Sequence, residues 1–432
     1  METLLRFTKK IIPASLFSSL QPAYHKFLAY AGAVIYKHPS RNIKVVFITG
    51  TKGKSSTTEI LNAVLEAAGK KTAMAGTIRF KIGDKIWPNK YKMTMPGRFF
   101  VQKFLRQAVD AGCEYAILEM TSEAAKQFRH KYIDFDALIF LNISPEHIES
   151  HGSFENYLNA KLELARALND SPKQNKVLVV NADDKASDKF IAAAPSVQSL
   201  KFSLKQAEPY IMDHYGLYFT YKSRNIRSSL QGLFNISNIL GALTYTGTQG
   251  VSPEMAELGL KHLTGIAGRV QKITLPETHP LSKKQDFTVV VDYAHTADSL
   301  EKVYTVFNDM KKICVLGNTG GGRDTWKRPE MGKMANDNCS HIILTNEDPY
   351  DEDPKQIIDQ MLPGITFTPH EVIMNRREAI HRALSLAKKG DAVLITGKGT
   401  DPYIMEANGK KTPWSDAKVA QEELEIVLAE RK

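Results

Sequence analysis

The feature that most limits the fold is a change of period between residues 45 and 69. Residues 45–48 are an unbroken apolar run, and Thr49-Gly50-Thr51-Lys52-Gly53-Lys54-Ser55-Ser56 is a glycine-bearing turn. Ile60, Leu61, Val64 and Leu65 then repeat on one helical face as far as Gly69, which acts as the stop. A strand that is apolar at every position is buried on both faces, and one that feeds a helix opens a parallel, helix-covered sheet. Further strands of this kind are expected at residues 115–118, 137–141 and 177–180. After a polar, proline-containing stretch at 275–286 the alternation restarts, with strands at 287–291, 313–316, 342–344 and 392–395. Helices over 300–310 and 376–387 lie between them. The chain therefore reads as α/β with two sheet domains meeting near Gly268, long enough at 432 residues for both.

Charge is uneven. Of the net +10, residues 1–44 carry +6, with Arg6, Lys9, Lys10, Lys26, Lys37, Arg41 and Lys44 against Glu2 alone. The remaining body is nearly balanced, which argues against a nucleic-acid surface. Residues 27–36 are an uncharged run between Lys26 and Lys37, half the roughly twenty residues a membrane span needs. Pro13, Gln21 and His25 interrupt any signal-peptide core. The segment either packs on the next domain or lies on an acidic membrane surface. Cys113, Cys314 and Cys339 show no metal-ligand spacing and read as scattered thiols of a reducing compartment.

The turn at Thr49–Ser56 has the context a phosphate loop requires. Its glycines let backbone N–H groups approach phosphate oxygens, and the following helix N-terminus favours negative charge. Lys54 can reach the β- and γ-phosphates, and the Ser55 hydroxyl can ligate Mg²⁺. The longer GxxxxGK[ST] pattern would need glycine at Ile48, so the match is to the shorter TGTxGK[ST][ST]. The plain alternative is a glycine-rich turn with an exposed lysine.

That loop resembles the ATP loop of the Mur ligases and of the related folylpolyglutamate synthetases, and further segments follow in family order. Leu118-Glu119-Met120-Thr121-Ser122 resembles MEVSS, Asn142-Ile143-Ser144-Pro145-Glu146-His147 resembles NLSRDH, and His151-Gly152 follows as HG. Tyr157-Leu158-Asn159-Ala160-Lys161 is similar to YxxAK, and residues 291–300 are close to VDYAHTPDSL. Asn181-Ala182-Asp183-Asp184, Gly268-Arg269, Lys327-Arg328-Pro329, Gly397-Lys398-Gly399 and Trp414-Ser415-Asp416 extend the resemblance over about residues 43–425. The branch most resembled adds the third residue of the peptidoglycan stem peptide, the UDP-N-acetylmuramoyl-tripeptide synthetases.

The resemblance implies an ATP-dependent, ADP-forming carboxylate–amine ligase acting through an acyl-phosphate, with a muramoyl-peptide acceptor and an amino acid as partners. It implies a short N-terminal segment at 1–43, a central P-loop-type ATPase domain at 44–268, and a smaller Rossmann-like α/β domain at 269–432. Lys54, Glu119, His147 and Lys161 are the implied catalytic set. Ser55, Glu119, His147 and a carbamylated Lys161 would hold two Mg²⁺ ions. Gly50, Thr51, Gly53, Lys54, Ser55, Ser56, Asn238, Arg269, Asp292 and His295 would bind ATP. Thr94, Thr121, Ser122, Arg129, Asp348, Pro349, Gly397 and Asp401 would meet the acceptor and amino acid. Plain alternatives are that Lys161 is a helix-surface lysine and that Asp292 and His295 cap a helix at Ser299.

Several departures from the family pattern matter. Only 48 residues precede Thr49, so a UDP-binding domain of the usual kind is not expected. Glu347-Asp348-Pro349-Tyr350 replaces DNPR, putting Tyr350 where diaminopimelate-adding members carry arginine. Losing a bidentate guanidinium disfavours diaminopimelate in its usual pose. Glu123 stands where the family has histidine, and Asp401 where it has glutamate. A cytoplasmic monomer is expected, and peripheral contact to the inner membrane face through residues 1–40 is the alternative to packing of that segment on the next domain. Competing readings are a folylpolyglutamate synthetase-like ligase, a nucleic-acid-dependent ATPase, for which no acidic motif or basic groove is found, and a non-catalytic Mur-like partner protein.

Overall fold

The computed structural model describes residues 14–146, 148–213, 215–322 and 325–431. These divide into two compact units. One comprises the described residues up to Ala207 together with Ser237–Gly259, the other Glu208–Ile236 together with those from Leu260 onward.

In the first unit the strands are β1 (Lys44–Thr49), β2 (Thr72–Ala75), β3 (Arg79–Ile82), β4 (Lys85–Pro88), β5 (Tyr115–Glu119), β6 (Ala137–Phe140), β7 (Val177–Asn181) and β8 (Gln198–Phe202). They form one sheet in the order β4-β3-β2-β5-β1-β6-β7-β8. β1 lies between β5 and β6 and is parallel to both, and only the β2–β3–β4 edge is antiparallel. Burial of Val45, Val46, Phe47 and Ile48 explains why the strand is apolar throughout. Because β1 and β5 are parallel neighbours, Thr49 and Glu119 emerge at the same sheet edge, where ligands bind in open α/β sheets.

Helix α1 (Ala14–Ile35) precedes the sheet, α2 (Lys54–Ala67) follows the glycine turn, and α3 (Arg98–Asp110) lies against α1. Ala29, Gly32 and Ala33 line the buried side of α1. A Cβ at Gly32 would sit 3.4 Å from Gln102 Cγ, so small residues set this close approach. The apolar run therefore packs on the next domain with one face. Phe27, Tyr30, Val34 and Ile35 lie exposed on the other. Among the described residues no helix is long and apolar enough to cross a membrane.

The second unit carries a three-stranded antiparallel sheet, β9 (Tyr210–Asp213), β10 (Gly216–Tyr221) and β11 (Arg224–Ser228). Its main sheet comprises β12 (Gln271–Lys272), β13 (Thr288–Asp292), β14 (Lys312–Leu316), β15 (His341–Leu344), β16 (His370–Val372) and β17 (Ala392–Thr396), ordered β12-β13-β17-β14-β15-β16. Only β12 is antiparallel to its neighbour. The helix expected over 300–310 runs instead over Ala297–Thr305, because Thr296 and Ser299 form a capping box that starts it earlier.

One expectation is overturned here. Cys314 of β14 and Cys339, at the end of the helix Lys327–Asn338, are joined as a disulfide, with Cα atoms 6.2 Å apart. The spacing of 25 residues carries no sign of this, since the fold, not the sequence, brings the strand and the helix end together. Cys113 is free and buried.

A buried ion pair fastens the last helix. Arg376 donates to both oxygens of Asp416 at 2.8 and 2.6 Å, both side chains are at most 1% exposed, and Trp414 Nε1 adds a bond of 2.7 Å to the same carboxylate. Asp416→Ala leaves a guanidinium buried without its counter-charge and is expected to cost about 3–5 kcal/mol. Urea unfolding followed in the second unit tests this: the midpoint falls sharply in the single variant and recovers largely in Arg376→Met/Asp416→Leu. An unchanged midpoint in the single variant would rule out a stabilising role.

Candidate active site

In the first unit the turn after β1 is held by the segment after β6. Asn142 accepts from the Thr51 N–H with its carbonyl and from the Lys52 N–H with its side chain, both at 2.9 Å. Thr51 Oγ1 lies 2.9 Å from the Tyr157 hydroxyl and accepts from Ser144 N at 3.0 Å. Gly53 takes φ +85° as the residue before α2, a conformation that favours glycine, and a Cβ there would overlap Asn238 Oδ1. Asn238 is thus packed against the turn. Gly50, Thr51, Gly53, Ser55 and Ser56 occupy one strand-to-helix bend, as phosphate binding needs.

Two lysines meet at this turn. Lys54 Nζ donates to the carbonyls of Gly50 and Thr51 at 2.8 and 2.9 Å, and Lys161 Nζ donates to the same Gly50 carbonyl at 2.9 Å. Lys161 is 1% exposed, on the buried side of the helix Phe154–Asp170. Burial, and then repulsion from Lys54, hold its amine well below the ordinary lysine range, while Glu146 acts in the opposite sense. It is not a surface lysine. Lys52 pairs with Glu146.

Glu119, at the end of β5, is 1% exposed. Its carboxylate accepts from Ser55 Oγ at 3.0 Å, from Thr77 N at 2.9 Å and from Thr77 Oγ1 at 3.0 Å. A Cβ at Gly76 would lie 2.1 Å from Glu119 Oε1, so only glycine allows this approach. The oxygens of Ser55 and Glu119 form a hard, anionic donor set that fits Mg²⁺ completed by water and phosphate. Thr77 was not singled out from the sequence. It follows a strand whose place beside β5 is a matter of sheet order. It also bonds Thr94 Oγ1 at 2.9 Å, joining the loop at Thr94 to Glu119.

His147 lies outside the described residues. Thr121 accepts from Ala124 N as the cap of the helix Ser122–Lys126, and Ser122 Oγ is 3.1 Å from His151 Nε2. Arg129 donates to Gln127 Oε1 at 2.8 Å and to the Met95 carbonyl, next to Thr94.

In the second unit Asp292 ends β13 and accepts from Val270 N and Ala294 N, both at 2.6 Å. The helix cap is Thr296, so Asp292 does not cap it. His295 Nδ1 is 2.7 Å from the Tyr293 carbonyl, and the Arg269 guanidinium lies 4.7 Å over the Tyr293 ring. Gly268 has φ +60°, and a Cβ there would strike Thr400 N at 2.7 Å, so the turn at 268–270 touches the loop at 397–400. In that loop Lys398, fully buried, donates to Asp348 Oδ1 at 2.7 Å and reaches Asp401 Oδ2 at 3.5 Å. Pro349 closes on Gly320, and Glu347 packs under Gly397. Asp292, His295 and Arg269 thus gather at one turn. Asp348, Pro349, Gly397 and Asp401 gather around Lys398, a residue that sequence reasoning placed in a motif without a role.

The Mur ligase middle domain family matches residues 48–246, and the Mur ligase glutamate ligase domain family matches residues 278–399. A UDP-N-acetylmuramoyl-L-alanyl-D-glutamate–2,6-diaminopimelate ligase of Syntrophomonas wolfei is 33% identical over 416 residues, covering 93% of this chain and 82% of the relative. A UDP-N-acetylmuramyl-tripeptide synthetase of Roseiflexus is 35% identical over 424 residues, covering 92% and 81%. A solved diaminopimelate ligase aligns with TM-score 0.60 at 29% identity, covering 89% of this chain and 78% of its own. The folylpolyglutamate synthase of Mycobacterium tuberculosis, TM-score 0.68 at 16% identity over 87% and 93%, shares the fold.

Proposed function

This chain belongs to the Mur ligase family, and from that membership we propose that it is an ATP-dependent, ADP-forming ligase that joins an amino acid to a muramoyl-peptide in peptidoglycan precursor synthesis. The observation that carries the reading is the convergence of Lys54, Lys161 and Ser55–Glu119 on one phosphate turn.

The chemistry asks for little covalent work from the protein. A carboxylate oxygen of the acceptor attacks the γ-phosphorus of ATP, and the bond to ADP breaks. The amine of the incoming amino acid then attacks the acyl-phosphate carbon, loses a proton, and phosphate leaves as the amide forms. Two anions must be brought together and their charge offset, which is a task of positioning and electrostatics. Lys54 supplies fixed positive charge at the transferring phosphoryl. Ser55 and Glu119 would hold a Mg²⁺ ion, which neutralises charge on the β- and γ-phosphates. His147 and a carbamylated Lys161 would serve a second Mg²⁺ site.

We assign a central domain to 44–268 and a C-terminal domain to 269–432, and give Asn238, Arg269, Asp292 and His295 a role in nucleotide binding. Thr94, Thr121, Ser122 and Arg129 would meet the acceptor. Asp348, Pro349, Gly397 and Asp401 would meet the amino acid, whose identity Tyr350 shifts away from the usual diaminopimelate pose. We place the protein in the cytoplasm as a monomer. Peripheral contact with the inner membrane face through residues 1–40 is supported by exposed Phe27, Tyr30, Val34 and Ile35 beside Lys26 and Lys37.

ATP-dependent phosphate release, measured with a panel of amino acids against UDP-muramoyl-dipeptide, its UDP-free form and folate, tests the whole reading. Release is expected only when a muramoyl acceptor and one amino acid are both present. Release driven by folate would transfer the chain to the folylpolyglutamate branch, and no stimulation by any pair would mark a non-catalytic relative.

A further inference from the structure

Away from the phosphate turn, the first unit gathers cations that its carboxylates do not balance. Arg98 opens α3, is 8% exposed, and directs both Nε and Nη2 at the single carbonyl of Gln127, with the Nε bond 2.8 Å long. Arg129 bonds Gln127 Oε1 and the Met95 carbonyl, and its Nε is buried without a partner. His25, on α1, has both ring nitrogens buried and without partners. Lys26 stands 5.1 Å over the Phe128 ring. Glu123 is the carboxylate that acts on His25 and Arg129, and among the described residues Arg98 has no carboxylate partner.

The electrostatics agree with the geometry. Burial first, and then Arg129, bring Arg98 down to about 10, against a weaker opposing effect of Tyr24. Burial, then Arg98 and Arg129, bring His25 down to about 4, with Glu123 opposing. Guanidiniums removed from water and satisfied by neutral carbonyls are costly, and an arriving oxyanion would offset that cost.

The cluster also has a direction. Arg129 holds the Met95 carbonyl, Thr94 precedes it, and Thr94 reaches Glu119 through Thr77. An acceptor whose reacting carboxylate lies at the phosphate turn would extend its next anionic group toward Arg98 and Arg129.

We infer that Arg98 and Arg129, with His25 of α1 as a further donor, form a receptor for an oxyanion of the acceptor, so that the N-terminal helix is a wall of the acceptor site. This rests on the ligase reading, in which Arg129 faces the acceptor. The shared chemistry is a phosphate or a carboxylate, from the carrier of the acceptor or from its peptide. Charge alone does not separate these two sources, since guanidinium forks suit both.

The test uses the full chain with its phosphate turn saturated by a non-hydrolysable ATP analogue. Thermal unfolding is followed during titration with inorganic pyrophosphate and, separately, with glutarate. One of the two is expected to raise the wild-type midpoint saturably. Arg98→Gln and His25→Ala should each weaken that anion at least tenfold, with the shift produced by the ATP analogue preserved. Arg98→Lys, which keeps the charge but not the fork, should bind between the two. A pyrophosphate response assigns the receptor to the carrier, and a glutarate response assigns it to a peptide carboxylate. No response to either anion in the wild type, or undiminished binding in Arg98→Gln and His25→Ala, overturns the inference. Turnover plays no part in this readout, so the receptor can fail while the ligase stands, and failure of the phosphate-release assay leaves this result readable.

Discussion

Lys54→Ala is expected to lower ATP-dependent phosphate release by about a thousandfold or more, with the fold retained, because fixed charge at a transferring phosphoryl is worth that much in comparable sites. The side chain bonds loop carbonyls 3 and 4 residues before it, at Thr51 and Gly50. Those carbonyls are neutral acceptors. A phosphate oxygen is charged and makes the stronger bond, so the ammonium group has reason to leave them when nucleotide arrives. Lys54→Arg should not restore activity, since a planar fork cannot replace a compact ammonium in a turn shaped around it. Steady-state turnover and circular dichroism on the same preparation separate the two effects. Turnover within tenfold of the wild type, in a folded variant, would remove the phosphate-loop assignment.

How much of this was legible beforehand follows from which contacts are local. The bend from β1 into α2 is a local pattern of period and glycine, and it stands where the sequence put it. The continuous apolar runs became buried parallel strands for the same reason. Strand order was not legible, and Thr77 shows the consequence. It is 42 residues from Glu119, yet bonds its carboxylate with both backbone and side chain, because β2 lies beside β5. Lys398 and Asp348 form a buried pair across 50 residues, and Cys314 meets Cys339 through a strand and a helix end, neither marked by spacing. The cluster of Arg98, Arg129 and His25 was likewise hidden. Of the three, the resemblance implied a role for Arg129 alone, and the N-terminal segment was expected either to pack on the next domain or to lie on a membrane surface, without any indication that it would bring an imidazole to two guanidiniums.

The sharpest consequence of such long-range placement is at Lys161, whose replacement by alanine is expected to lower turnover by about a hundredfold, the upper end of the loss seen even when a group that only orients a metal's ligands is removed. The mechanism proposed for it predicts more than a loss. Nζ sits 2.9 Å from the Gly50 carbonyl, is closed off from water, and is repelled by Lys54, so its charged form is disfavoured in the folded chain. A neutral amine is the form that adds CO₂, with one N–C bond made and one proton released. The resulting carbamate is an anion of carboxylate length beside the phosphate turn. Acid works against it: because the folded-state value is depressed, the amine is neutral above that value and protonates below it, so activity falls on the acid side. Formate or acetate at high concentration should partly restore the alanine variant, by placing a free carboxylate where the carbamate stood. Stripping CO₂ should slow the wild type reversibly and leave the variant untouched. Loss of activity in the variant, with neither rescue nor CO₂ dependence, would give Lys161 the role of a plain cation holding Gly50. CO₂ dependence without rescue would keep the carbamate and require that its tether to the helix Phe154–Asp170, as well as its charge, is needed. Full activity in Lys161→Ala would remove both roles and leave the phosphate turn with Lys54 alone.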